Sequence, residues 1–166
     1  MDHSGGPVSV SLAGVTKRIQ LSPGIKDAFS ALLTVHGEVE KAAAAAGLDP
    51  KLIELVKIRG SQLNGCAYCL DMHTKDSIKL GEDQRRLFVL AAWRETGLFT
   101  EQERAALALT EAITKLSETQ EVPDDVYEEA TSVLTEDQYQ AVAWAAIVIN
   151  FWNRLAVTSH KPLPSH

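Results

Sequence analysis

The stretch Asp49-Pro-Lys-Leu-Ile-Glu-Leu-Val-Lys-Ile-Arg-Gly-Ser-Gln-Leu-Asn-Gly-Cys-Ala-Tyr-Cys-Leu-Asp-Met-His73 sets both the fold class and the chemistry of this chain. Asp49 is a side-chain cap and Pro50 takes the first helical position, where its missing N–H costs nothing. Leu52, Ile53, Leu55, Val56 and Ile58 then recur at helical spacing until Asn64-Gly65 stops the helix. A further helix is expected from about Cys66 to Leu80, closing at Gly81. The two helices would form an antiparallel hairpin that turns near Leu63-Asn64.

The same periodicity runs outward in both directions. Upstream, Phe29, Leu32, Leu33 and His36 lie on related faces of a helix from about Ile25 to Ala46, which ends at Gly47. Downstream, a helix is predicted over 82–96. Thr100-Glu-Gln-Glu103 and Thr135-Glu-Asp-Gln138 read as capping boxes opening helices to about Leu116 and Ala156, and Pro123-Asp-Asp begins a shorter one to about Leu134. The chain therefore reads as an all-α, single-domain array of about seven helices. The predicted division is an N-terminal arm over 1–22, a helical domain over 23–158 and a tail over 159–166. In the arm, Val8, Val10 and Leu12 alternate with Ser, a short extended pattern too isolated to make a sheet.

Composition narrows the function classes. With 16 Lys+Arg against 22 Asp+Glu the net charge is −6, and 45% of residues are hydrophobic against 23% charged, as expected of a globular domain with a real core. No basic run exceeds two residues, so the footprint of a nucleic-acid binder is missing. The longest apolar run, Ala141 to Phe151, is about half of the roughly 20 residues of a bilayer span, which speaks against a membrane helix. Met1-Asp-His-Ser has an acid where a secretory signal needs positive charge, so a cytoplasmic location is expected. The last helix is apolar around most of its circumference, from Ala141 through Ile149, so it is expected at the centre of its domain or against another subunit; with few layers in a chain of this size to hide it fully, a homo-oligomer is favoured.

The two cysteines form Cys66-x-x-Cys69 at a helix start, where free backbone N–H groups and the helix dipole favour a thiolate and can lower a cysteine pKa from about 8.5 to roughly 3.5–7.5. Three residues apart on a helix, the sulfurs can also bond to each other. His73 follows Cys69 by four residues on the same face, where imidazole can take a thiol proton. Glu54 lies nine to ten residues before the hairpin turn and His73 nine to ten after it, at one height. Apolar neighbours around Glu54 suggest partial burial, and a buried carboxylate needs a partner.

Glu54, eleven residues, Cys66-x-x-Cys69, three residues and His73 together resemble the signature of the alkylhydroperoxidase D-like (AhpD-like) branch of the carboxymuconolactone decarboxylase superfamily. Ile149-Asn-Phe-Trp-Asn-Arg-Leu155 is similar to that family's C-terminal helix, so the resemblance spans about residues 50–156. It implies an all-helical, oligomeric peroxidase (dimer, trimer or hexamer) acting on alkyl hydroperoxides or hydrogen peroxide. By the resemblance Cys69 attacks the peroxide, Cys66 resolves the sulfenic acid to a disulfide, and Glu54 and His73 relay protons. No bound cofactor or metal is implied; an external dithiol, a thiol reductant or a reductase protein, restores the pair. The best-studied branch has a histidine before the second cysteine where this chain has Tyr68, a poor base that can still donate a hydrogen bond as an auxiliary group.

Two other functions compete at this level. One is the lyase chemistry for which the superfamily is named, whose members do not use a redox cysteine pair. The other is a non-enzymatic zinc site of Cys66, Cys69, His73 and Glu54, since zinc accepts all three residue types. Asn150, Asn153 and Arg154 read as structural polar groups beside an apolar helix. Asp71 and Asp76 are expected to pair with Lys75 or Lys79 on a solvated face. His36 shows no cysteine or carboxylate pattern and is expected to have no role, and His3, His160 and His166 fall in the predicted tails.

Overall fold

The computed structural model describes residues 17–163. Eight α-helices follow one another: α1 Lys26–Ala45, α2 Pro50–Leu63, α3 Ala67–Lys79, α4 Gln84–Val89, α5 Glu101–Thr114, α6 Leu116–Thr119, α7 Asp124–Val133 and α8 Glu136–Ser159, with a 3-10 segment at Leu90–Glu95 between α4 and α5. The fold is an all-α single-domain bundle, as the sequence predicts. The extended pattern at Val8, Val10 and Leu12, like His3 and His166, lies outside the described residues.

Local signals start and stop these helices. Asp49 Oδ1 accepts from Lys51 N at 2.8 Å, and both predicted capping boxes are present, on α5 and α8. Gly65 takes φ of +65° in the turn before Cys66, a conformation costly for a residue with a Cβ.

Helix α2 is the centre of the bundle, packing on α3, α5 and α8. A Cβ added at Gly60 would lie 3.0 Å from Ile149 Cγ2, so the absence of a side chain lets α2 and α8 approach closely. One core cluster joins α1, α2, α5, α7 and α8 through Ala43, Leu52, Val56, Leu109, Ala130 and Val142; a second joins α2, α5 and the 3-10 segment through Leu55, Leu90, Trp93 and Leu107. A third, smaller cluster contains Cys66, Cys69, Ile149 and Ala156.

Three boundaries differ from the sequence-based ones. The helix predicted over 82–96 tightens into the 3-10 segment and kinks at Ala92 (φ −117°, ψ 32°). Leu87, Leu90 and Trp93, all buried, recur every third residue, the repeat of a 3-10 helix rather than of an α-helix. Trp93 thereby enters the core and its Nε1 donates to Glu111 at 2.8 Å. The extra turn α6 ends at Gln120, which adopts a left-handed φ of 63°. Finally, α8 continues past Ala156 to Ser159, and His160 is its left-handed cap rather than part of a tail.

By length and composition alone, the longer α8 is the one described helix long and apolar enough to cross a membrane. Its inner face is nevertheless built into the bundle: Ala141, Val142, Ala145, Ala146 and Ile149 are buried, and Asn150 and Asn153 are buried with hydrogen bonds to neighbouring helices. Residues before α1 run across its far end. Gln20 Nε2 donates to Ser159 O at 2.9 Å, Leu21 N to Ser159 Oγ at 3.0 Å, and Arg18 Nη1 to Thr158 O at 3.1 Å.

Candidate active site

The turn at Gly65 delivers Cys66 to the N-cap of α3, where its Sγ accepts from Cys69 N at 3.3 Å. The sulfur thus takes the place a cap oxygen usually fills. Cys66 and Cys69 are joined by a disulfide with their Cα atoms 5.4 Å apart, and both are buried.

A polar cluster fixes the end of α2 just ahead of this turn. Asn64 Nδ2 donates to Asn150 Oδ1 and to Asn153 Oδ1, each at 2.9 Å. Asn153 Nδ2 donates to Ser61 Oγ at 3.0 Å, and Asn150 Nδ2 to Thr114 Oγ1 at 2.9 Å. Arg154 Nη1 closes the group on Asn150 Oδ1 at 3.0 Å. These residues are structural, tying α8 to the base of the cysteine turn. On the solvated side of α3, Lys75 pairs with Asp71 and Lys79 with Asp76, as expected.

The hairpin brings Glu54 and His73 together: His73 Nδ1 lies 2.8 Å from Glu54 Oε2, and both side chains are buried. Glu54 Oε1 accepts from the buried Lys57 Nζ at 2.9 Å. Lys57 also donates to Glu40 Oε1 at 2.7 Å, and that oxygen is 3.2 Å from His36 Nε2. The result is an unbroken chain of five charged or titratable groups from α1 through α2 to α3.

Burial alone would push the Glu54 carboxyl up, but the hydrogen bond with His73 and the Lys57 charge hold it below its ordinary value. Burial would push Lys57 down, but the Glu54 charge and the bonds to both carboxylates hold it above its usual value. Glu40 is lowered in the same way, its hydrogen bond and attraction to Lys57 outweighing burial. His36 is lowered by burial and by the Lys57 charge. At neutral pH the carboxylates are therefore anions, Lys57 a cation and His36 a neutral ring.

Cys69, His73, Glu54, Lys57, Glu40 and His36 all line one cavity of about 360 Å³, whose remaining wall includes the apolar Phe29, Leu33, Met72, Trp152 and Leu155. Cys66 instead faces a separate opening of about 230 Å³, shared with Gly65, Ala67, Val157 and His160. Tyr68 and Lys161 border both spaces, the lysine Nζ 4.1 Å from the phenol ring centroid.

Three of the four residues singled out from spacing, Glu54, Cys69 and His73, line one cavity; Cys66 is tied to them through the disulfide but faces the other opening, and Tyr68 stands between the two. The expectation for His36 is corrected: it has a carboxylate partner one turn on, in Glu40, and faces the same cavity as Cys69. Lys57 and Glu40 were also missed. A lysine inside the apolar run Ile53–Ile58, three residues after Glu54, and a His-x-x-x-Glu pair on α1 were the available signals.

The family model for the carboxymuconolactone decarboxylase family matches residues 27–112, more than half of the chain. The chain belongs to the carboxymuconolactone decarboxylase family. A Bacillus subtilis relative, the uncharacterized protein YdfG, is 40% identical over 120 residues, covering 72% of this chain and 81% of the relative. The solved structure of a protein of unknown function from Agrobacterium tumefaciens, named as a candidate AhpD antioxidant defence protein, matches with a TM-score of 0.81 and 34% identity over 91% of this chain and all of that one. The debrominase Bmp8 shares the fold alone, with a TM-score of 0.71 at 17% identity over 86% of this chain and 74% of that one. Sequence and fold together point to the AhpD-like branch, here carrying a buried disulfide beside paired acidic and basic groups, an arrangement consistent with a redox role.

Proposed function

We propose that this family member is a cytoplasmic thiol-dependent peroxidase that reduces alkyl hydroperoxides or hydrogen peroxide through a Cys66–Cys69 dithiol/disulfide cycle. The observation that carries the reading is that Cys69 opens onto the cavity holding the His73–Glu54 pair, while its disulfide partner Cys66 opens elsewhere.

In the reduced enzyme, His73 takes the Cys69 proton. Glu54 accepts at one ring nitrogen, fixing the tautomer, and steadies the charge that forms. The Cys69 thiolate attacks the terminal peroxide oxygen; an S–O bond forms, the O–O bond breaks, and the alkoxide leaves with the proton from His73. The Cys66 thiol then displaces hydroxide from the Cys69 sulfenic acid, its own proton completing water, and the disulfide forms. Two electrons have passed from two sulfurs to the peroxide. The apolar wall of Phe29, Met72 and Trp152 suits an organic group on that peroxide.

No resident cofactor is needed by this cycle. An external dithiol closes it: one thiolate attacks Cys66 Sγ from the smaller opening, Cys69 leaves as thiolate, and the second thiol resolves the mixed disulfide. The homo-oligomer expected from sequence remains part of the proposal, with the outer face of α8 as its surface.

Thiol titration before and after one equivalent of cumene hydroperoxide tests the reading. The reduced wild type should lose two thiols. Cys66→Ser should stop at a trappable sulfenic acid and Cys69→Ser should leave the peroxide unconsumed. Peroxide consumption by both variants at the wild-type rate, or stoichiometric zinc in the purified protein, would overturn it.

A further inference from the structure

The cavity holds two histidine–carboxylate pairs. His73 with Glu54 sits beside the cysteines, and His36 with Glu40 lies on α1; Lys57 bridges the two carboxylates at 2.9 and 2.7 Å. The proposed cycle uses only the first pair. A buried lysine and a second dyad facing the same space are more than the proton transfer from Cys69 requires.

The hydrogen-bond inventory defines what His36 offers. Ionised Glu40 can only accept, so the facing His36 Nε2 carries the hydrogen. The neutral ring then has Nδ1 as an unprotonated acceptor. Besides Glu40, Lys57 and His73 are the charged or titratable groups acting on it, and burial first, then the Lys57 charge, disfavours a second proton on the ring. A hydroperoxide differs from a dialkyl peroxide in carrying a hydrogen-bond donor on its terminal oxygen.

Resting on the peroxidase reading, we infer that His36, oriented by Glu40, is a substrate-binding residue that accepts the hydrogen bond of the hydroperoxide O–O–H group and so presents the terminal oxygen to Cys69. That hydrogen stays on the oxygen, which becomes the sulfenic hydroxyl, while the alkoxide takes its proton from His73. His36 therefore orients and selects, and His73 transfers the proton. Removing one such acceptor should slow capture of the peroxide about tenfold while leaving the thiol untouched.

Stopped-flow oxidation of the reduced protein by cumene hydroperoxide tests this, with the pH profile of Cys69 alkylation by iodoacetamide as a control for the thiol. His36→Leu should lower the second-order rate constant about tenfold with an unchanged alkylation profile. His36→Asn, which restores an acceptor oxygen, should recover most of the loss, and Glu40→Gln, which leaves the ring but loosens its tautomer, should fall between. A His36→Leu rate within twofold of wild type, an Asn variant as slow as the Leu variant, or a shifted alkylation profile would overturn the assignment. A wild type that does not react with the peroxide at all would overturn the peroxidase reading with it, whereas a reactive wild type with indifferent His36 variants would remove only the role of His36.

Discussion

Lys57 Nζ donates to Glu54 Oε1 at 2.9 Å while the other oxygen of that carboxylate meets His73 Nδ1 at 2.8 Å, so a single buried carboxylate joins a fixed cation to the imidazole beside the cysteines. The lysine neutralises Glu54 without competing for the oxygen that orients His73. In the proposed cycle it would be a positioning residue.

Lys57→Met should therefore be far more damaging than its conservative volume suggests. It leaves Glu54 buried with one partner, at a cost of about 3–5 kcal/mol when such a pair is broken from one side. Urea denaturation should show this loss, and Glu54→Gln in the same chain should recover part of it.

The acid limb of stability follows from the lowered carboxyls. A group whose folded pKa lies below its unfolded value stabilises the protein above the unfolded value, and the contribution disappears as pH falls through the folded one. Glu54, Glu40 and Glu111 all act in this direction, Glu111 because its bonds from Trp93, Arg94 and Arg59 outweigh burial. The stability gap between wild type and Glu54→Gln should be full at pH 7 and shrink progressively below the ordinary value of 4.5, measured as urea midpoints across that range.

Lys57 imposes the opposite limb. Its folded pKa is raised, so its contribution is complete below the ordinary 10.5 and is lost as pH rises through the folded value. Wild type and Lys57→Met should converge in stability under strongly alkaline conditions; a gap that stays constant there would remove the charge as its cause.

Asn153 offers a test of the clamp beneath the cysteine turn. Asn153→Leu leaves Ser61 Oγ and Asn64 short of a partner and should cost about 1–3 kcal/mol. Because Asn64 precedes Gly65 and Cys66, the variant should also slow disulfide formation by hydrogen peroxide, read by thiol titration.

Trp144, Ile147 and Phe151 lie on one outer face of α8 and are 52%, 47% and 51% exposed, a concentration of apolar surface that a second copy of the chain would cover. Ile147→Glu should shift the molecular mass in size-exclusion chromatography with light scattering toward the monomer without lowering the rate of Cys69 alkylation. An unchanged mass would remove this face as a subunit contact.

The helical framework and the Glu54, Cys66, Cys69 and His73 group were legible in sequence for a common reason. Each depends on contacts within one helix or one hairpin, where spacing converts directly into geometry. Glu40 and His36 were not legible, because α1 reaches the site by packing across the bundle, and nothing in its own periodicity says which face meets α2. Lys57 was hidden by its ordinary appearance as a polar break in an apolar run. The kink at Ala92 was obscured in another way: a three-residue repeat as short as Leu87, Leu90 and Trp93 also fits an α-helical stripe loosely, and the bond from the Trp93 N–H to Glu111 that accompanies the tighter winding joins residues far apart in sequence.

The segment before α1 and the cap after α8 contribute Ser22 and Lys161 to the lining of the Cys69 cavity, and the attachment of the first rests on the bonds of Arg18, Gln20 and Leu21 to the last turn of α8. These tethers, one exposed and two part-buried, are separate from the three core clusters, so their opening need not involve melting the bundle. Access to the sulfur chemistry is thereby decoupled from global unfolding. Amides at the end of α8 should exchange hydrogen well before those of α2, and in the reduced protein mild denaturant should speed Cys69 alkylation while the helical signal is still intact.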